Sequence, residues 1–97
     1  MKLETLRKQL DDIDERLIRL LARRLAVCEE IGVVKQAHGL PIAQPDRVTA
    51  VKRRIASLAK HHGIDSRFAV KVYDLIIREA CRREEAVVRD GKETERD

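Results

Sequence analysis

The sequence predicts an all-α chain of three helices of unequal length, the longest first, that assembles as an intertwined dimer. An unbroken rhythm of threes and fours in apolar residues fills the first third of the chain. Apart from Gly32 and Gly91, the glycines and prolines fall at 39–45 and at 63, dividing the 97 residues into three periodic stretches. The first stretch, from about Leu3 to about Gln36, would be roughly 50 Å long at 1.5 Å per residue. A globule of this length has a radius of gyration of about 13 Å. The rest of the chain cannot wrap such a rod, so its stripe is expected to pack on the same helix of a second copy.

In the first helix the stripe runs through Leu6, Leu10, Ile13, Leu17, Leu20, Arg24, Val27, Ile31 and Val34, aliphatic at every step except Arg24. A permanent cation there calls for a compensating anion, and no carboxylate of the same helix lies on the stripe. Two readings stay open: Arg24 snorkels out to a carboxylate on another helix, or an anionic ligand sits inside the bundle. The pattern ends at His38-Gly39-Leu40-Pro41, where Gly can cap the helix and Pro prevents its continuation. Gln44-Pro45-Asp46 reads as the next start, with Pro at the first helical position and an acid at the positive end of the dipole. Val48, Val51, Ile55 and Leu58 carry that helix to His61-His62-Gly63. Asp65 is the expected N-cap of the third helix, whose face holds Val72, Tyr73, Ile76, Ile77, Ala80, Glu84, Val87 and Val88. Glu84 interrupts this second stripe as Arg24 does the first. Residues 1–90 are read as one helical domain, and 91–97 as a flexible polar C-terminal tail.

Charged residues make up 39 % of the chain, with a net charge of +4. Acids are interleaved with the basic residues throughout, and Tyr73 and Phe68 are the only aromatic rings of the Phe, Tyr and Trp type. This argues against nucleic acid, which needs a basic face or a stacking platform. An excess of positive charge inside a pocket would instead attract a small dianion. Cys28 and Cys81 are expected to be reduced thiols of a cytoplasmic protein, and no apolar run is long enough for a membrane. His38, His61 and His62 lack ligand spacing with a Cys or an acidic pair, so no metal is expected.

Arg24 and Lys35 are three helical turns apart, on one face, with about 16 Å between their backbones. Arg7 lies about 25 Å from Arg24 along the axis and a quarter turn away, so a single helix cannot bring both to one ligand. Across an antiparallel dimer they can meet; from spacing alone, Arg7 reads as a solvated charge. There is no Gly-rich phosphate loop, no nucleophile with a base at helical spacing and no cofactor motif. A reaction catalysed here would rely on binding, orientation and a few hydrogen bonds.

The chain resembles the all-helical chorismate mutase family from Leu6-Arg7 through about Val88. The resemblance is carried by Leu6-Arg7, Asp11 to Asp14 with Leu17, Leu20-Leu21-Ala22-Arg23-Arg24, Ile31-Gly32 with Lys35, Pro41, Asp46-Arg47, and Leu75-Ile76-Ile77 leading to Glu84. It implies a domain-swapped type II homodimer of three-helix protomers with shared sites and no cofactor. Arg24 and the second copy's Arg7 would hold two substrate carboxylates, Lys35 would donate to the ether oxygen, and Arg47 would organise the pocket mouth. Glu84 falls where family members carry Gln or Glu as a second donor to that oxygen. It suits the role in its protonated form, which predicts activity declining as pH rises through its titration.

Three positions depart from the common pattern, and all concern the substituent at C4 of the substrate. Val48 stands where an acid receives the C4 hydroxyl, Gln44 where Asp is frequent, and Ala80 where a small hydroxyl residue is expected. Losing a hydrogen bond to a charged group costs roughly 1.5 to 3 kcal/mol. Together with Tyr73-Asp74-Leu75-Ile76-Ile77 and Glu79-Ala80-Cys81-Arg82-Arg83-Glu84, these residues look like the branch acting on 4-amino-4-deoxychorismate, which feeds 4-aminophenylalanine-type units into antibiotic pathways. The resemblance ranks that substrate first, chorismate second and an isochorismate pyruvate lyase activity third. A helical dimerisation module without catalysis, with Arg24 ion-paired to Glu84, is the alternative from another class.

Overall fold

The computed structural model describes residues 2–96, with side chains as far as Gly91. Three helices follow one another: α1 (Lys2–Ala37), α2 (Pro45–His61) and α3 (Ser66–Arg96). Both turns are set by glycine. At the end of α1, Gly39 has a φ of 64° and the Leu40 N–H donates to the Lys35 carbonyl at 2.8 Å. At the end of α2, Gly63 has a φ of 71° and the Ile64 N–H donates to the Ala59 carbonyl at 2.8 Å. Each is a left-handed cap that satisfies otherwise orphaned carbonyls and reverses the chain.

The starts differ in chemistry. Gln44 precedes α2 in extended conformation with Pro45 as first helical residue, and its side chain gives no cap. Asp65 does cap α3, its Oδ1 accepting from the Arg67 N–H at 2.8 Å. Ser66 Oγ donates to the Ala56 carbonyl at 2.8 Å, which ties the start of α3 to α2.

Among the described residues, α1 and α2 each pack on α3 and not on each other. The core of one chain is small: Leu25 of α1, Val51, Ile55 and Ala59 of α2, and Ala80 of α3 are its buried apolar side chains. Ala59, 6 % exposed, takes the place on the α2 stripe that spacing gives to Leu58, which is 42 % exposed. Leu6, Leu10, Ile13, Leu17 and Leu20 each expose more than half of their surface. The radius of gyration is 17.2 Å and the extents are 60 × 29 × 15 Å, so α1 projects beyond the body it belongs to.

The backbone is helical through Gly91 to Arg96. Lys, Glu and Arg are good helix formers, and a formed helix extends through them without an apolar stripe. Asp97 lies outside the described residues. No helix among the described residues is long and apolar enough to cross a membrane.

Removing the Asp65 carboxylate is expected to cost about 1 kcal/mol, read as a lower urea midpoint for Asp65→Ala at unchanged slope. On the exposed face of α3, hydrogen bonds from Arg82 and then Arg83 hold the Glu79 carboxyl down at about 2, below its ordinary 4.5. A lowered carboxylate adds stability that is complete above its unfolded value and disappears as pH falls through its folded one. The Glu79 contribution is therefore lost between about 4.5 and about 2. In an NMR titration, Arg82→Ala is expected to move the Glu79 midpoint upward.

Candidate active site

The site lies along the parallel pair α1 and α3, and two contacts fix their register. Near one end the Arg24 guanidinium lies over the Tyr73 ring, 5.3 Å from its centroid. Three turns further along both helices, Lys35 Nζ donates to Glu84 Oε1 at 2.8 Å. Between these contacts α3 presents Ile77, Ala80 and Cys81 as a floor, and α2 closes one side with Arg47, Val48 and Val51. Ile42 and Gln44 of the connector complete the wall of a cavity of about 280 Å³. That is near the lower end of small-molecule sites, about 300 to 1,000 Å³.

Glycine brings the two helices together. Gly32 is buried, and a Cβ at that position would stand 3.0 Å from Glu84 Cα, 3.1 Å from its Cβ and 3.2 Å from its Cγ. Only a residue without a side chain allows α3 so close to α1. Glu84 is in consequence 5 % exposed, the one buried charged residue among those described. Lys35 compensates it and also donates to the Ile42 carbonyl at 2.8 Å. An ammonium has three N–H groups, so one remains for a ligand.

The electrostatics are uneven. Arg24 has no carboxylate partner among the described residues; its Nη1 donates to Cys28 Sγ at 3.8 Å. The lining holds three cations, Arg24, Lys35 and Arg47, against the single carboxyl of Glu84. Burial, and secondly the Glu84 charge, push the Cys81 thiol up, so this wall stays neutral. Gln44 Nε2 donates to the Pro41 carbonyl at 3.2 Å, which leaves its side-chain oxygen as an acceptor.

Of the residues that sequence reasoning singled out, Arg24, Lys35, Gln44, Arg47, Val48, Ala80 and Glu84 all line this one cavity. Arg7 does not: it is exposed near the start of α1 and no fold of a single chain brings it here. The alternative pairing of Arg24 with Glu84 is not made: Arg24 lies over Tyr73, and Glu84 pairs with Lys35 three turns further along. Sequence reasoning passed over Cys28, Cys81, Ile31, Ile42, Val51 and Ile77 as lining residues. It also missed Tyr73 as the neighbour of Arg24. The only signal for Tyr73 is its spacing: it precedes Glu84 by the same three turns that separate Arg24 from Lys35.

A helical pocket with apolar walls and a surplus of cations has the chemistry to receive a small anion. Residues 6–85 match the family described as chorismate mutase type II. The chain is 42 % identical to a 4-amino-4-deoxychorismate mutase of Streptomyces venezuelae, over 90 % of this chain and 84 % of that protein. It is 39 % identical to a 4-amino-4-deoxychorismate mutase of Streptomyces pristinaespiralis, over 92 % of this chain and 69 % of that one. A chorismate mutase of Methanocaldococcus jannaschii is 32 % identical over 78 % of this chain and 77 % of its own length. The chain belongs to the chorismate mutase type II family, and it is an isomerase of that type.

Adding a methyl group at Gly32 is expected to force α3 away and part Lys35 from Glu84. Gly32→Ala should then cost about 1 to 3 kcal/mol by overpacking, seen as a lowered thermal midpoint together with lost turnover.

Proposed function

We propose that the chain rearranges 4-amino-4-deoxychorismate to 4-amino-4-deoxyprephenate as an intertwined homodimer with two shared sites. The observation that carries this reading is a cavity lined by Arg24, Lys35 and Arg47 against one carboxyl, a surplus that suits a dianion. The exposed stripe from Leu6 to Leu20 supports the dimer, since an apolar face of that length needs cover. An antiparallel partner helix would also carry its own Arg7 to the open side of the pocket near Arg24.

The reaction is an intramolecular Claisen rearrangement, in which the ether carbon–oxygen bond breaks as a carbon–carbon bond forms. No proton is transferred and no covalent intermediate is needed. Arg24 and the second copy's Arg7 hold the two carboxylates, which selects the compact conformer. Lys35, braced by Glu84 and the Ile42 carbonyl, turns its remaining N–H toward the ether oxygen as that atom gains negative charge. Glu84 accepts from Lys35 through Oε1 and so fixes the ammonium beside that oxygen. Arg47 stands at the mouth.

At C4, Val48 and Ala80 offer no acceptor, and Gln44, with its amide nitrogen held by Pro41, offers a neutral one. Two relatives named as mutases of the amino substrate support this choice over chorismate. Chorismate is the second reading, favoured by the relative from M. jannaschii.

Following diene absorbance with both substrates tests the proposal: kcat/KM is expected to be higher for the amino compound, and preference for chorismate reverses the ranking. Arg24→Ala should abolish turnover in a protein that remains a folded dimer. Glu84→Gln can still accept from Lys35 through its amide oxygen and donate to the ether oxygen through its amide nitrogen. It is expected to keep turnover, whereas Glu84→Ala should lose about 100- to 1,000-fold in kcat.

A further inference from the structure

Arg24 stands apart from the other pocket cation whose contacts are fixed. Lys35 is held by a carboxylate, and its charge is largely matched by Glu84 before any ligand arrives. Arg24 is half-buried in α1 and is held by groups with no formal charge, the Tyr73 ring and the Cys28 sulfur. The face of an aromatic ring is negative through its quadrupole, and a guanidinium within about 6 Å of its centroid is attracted to it. Such a partner fixes orientation without cancelling charge. A carboxylate in its place would form bidentate bonds and consume the donors a ligand needs. With Nη1 on a weak sulfur acceptor, most of the five guanidinium N–H groups stay available.

Tyr73 does not line the cavity and has no place among the groups that touch the substrate in the reading above. It lies behind Arg24 on α3, the helix that also carries Glu84, so one element sets the positions of both ends of the pocket. We propose that Tyr73 is a positioning residue for the rearrangement, whose ring face holds Arg24 in line for a substrate carboxylate while leaving its full charge for that ligand. This rests on the assignment of Arg24 to a carboxylate. The ring is expected to act mainly on substrate affinity, because the carboxylates persist from ground state to transition state.

The experiment replaces Tyr73 with phenylalanine and with mono-, di- and trifluorinated phenylalanines, which weaken the ring face stepwise at nearly constant shape. Turnover of the 4-amino substrate is measured in parallel with calorimetric binding of a bridged bicyclic dicarboxylate ether, an unreactive mimic of the transition state. Tyr73→Phe should stay within about twofold of the parent. KM and the dissociation constant should then climb with each fluorine, reaching about 2- to 30-fold over the series, while the thermal midpoint and kcat change little. Tyr73→Leu, if folded, should fall at the weak end. A flat series, or one in which only the thermal midpoint moves, overturns the role of Tyr73 and leaves the enzyme assignment standing. A parent protein that neither turns over substrate nor binds the mimic overturns both.

Discussion

The contact between Gly32 and Glu84 governs the geometry of this protein. Helices normally keep a side chain's width between them, and at this crossing that spacer is absent on one side. The carboxyl of Glu84 is carried into the interior as a result, and an isolated charge there would be severely penalised. Lys35 answers it from the neighbouring helix, and the connector adds the Ile42 carbonyl to the same ammonium. The end of α1, the connector that follows it and the distant α3 are thereby fixed relative to one another at a single polar point. Loss of one member of such a buried pair typically costs about 3 to 5 kcal/mol, so the point is both an anchor and a vulnerability.

The two ends of the cavity solve the problem of a buried cation differently. At Lys35 the charge is matched by a carboxyl, giving a rigid donor of modest net charge. At Arg24 the environment is a ring and a thiol, giving an oriented donor of full charge. A ligand that is anionic at one end and gains negative charge at an internal oxygen during reaction fits that asymmetry. The apolar walls of Ile31, Val48, Val51 and Ile77 keep the dielectric low, which strengthens both interactions.

Much of this is legible in the sequence because helices announce themselves locally. Gly39, Gly63, Pro45 and Asp65 act within a few residues of where they stand, and each does what its chemistry dictates. Arg24 and Lys35 share a face by arithmetic alone, and Glu84 is conspicuous as a charge in an apolar row. The partner of Glu84 is a different matter. Register between helices is set by close approach at Gly32, and periodicity within one helix carries no information about it. Leu58 and Ala59 show the same limit, since both fit the rhythm and only the packing of the folded chain decides between them. Gly91 to Arg96 are helical without an apolar stripe, in keeping with the propensity of Lys, Glu and Arg. Arg7 falls outside both kinds of reasoning, because nothing inside one chain meets it.

The bare row of Leu6, Leu10, Ile13, Leu17 and Leu20 bears on how this molecule behaves as its solution is thinned out. A chain whose longest helix is left half wetted, with a core of a few small side chains, has little to sustain it in isolation. In the dimer proposed above, folding and encounter would be one process, and the melting temperature would depend on how much protein is present. Scarcity itself would silence such a catalyst, with no inhibitor involved.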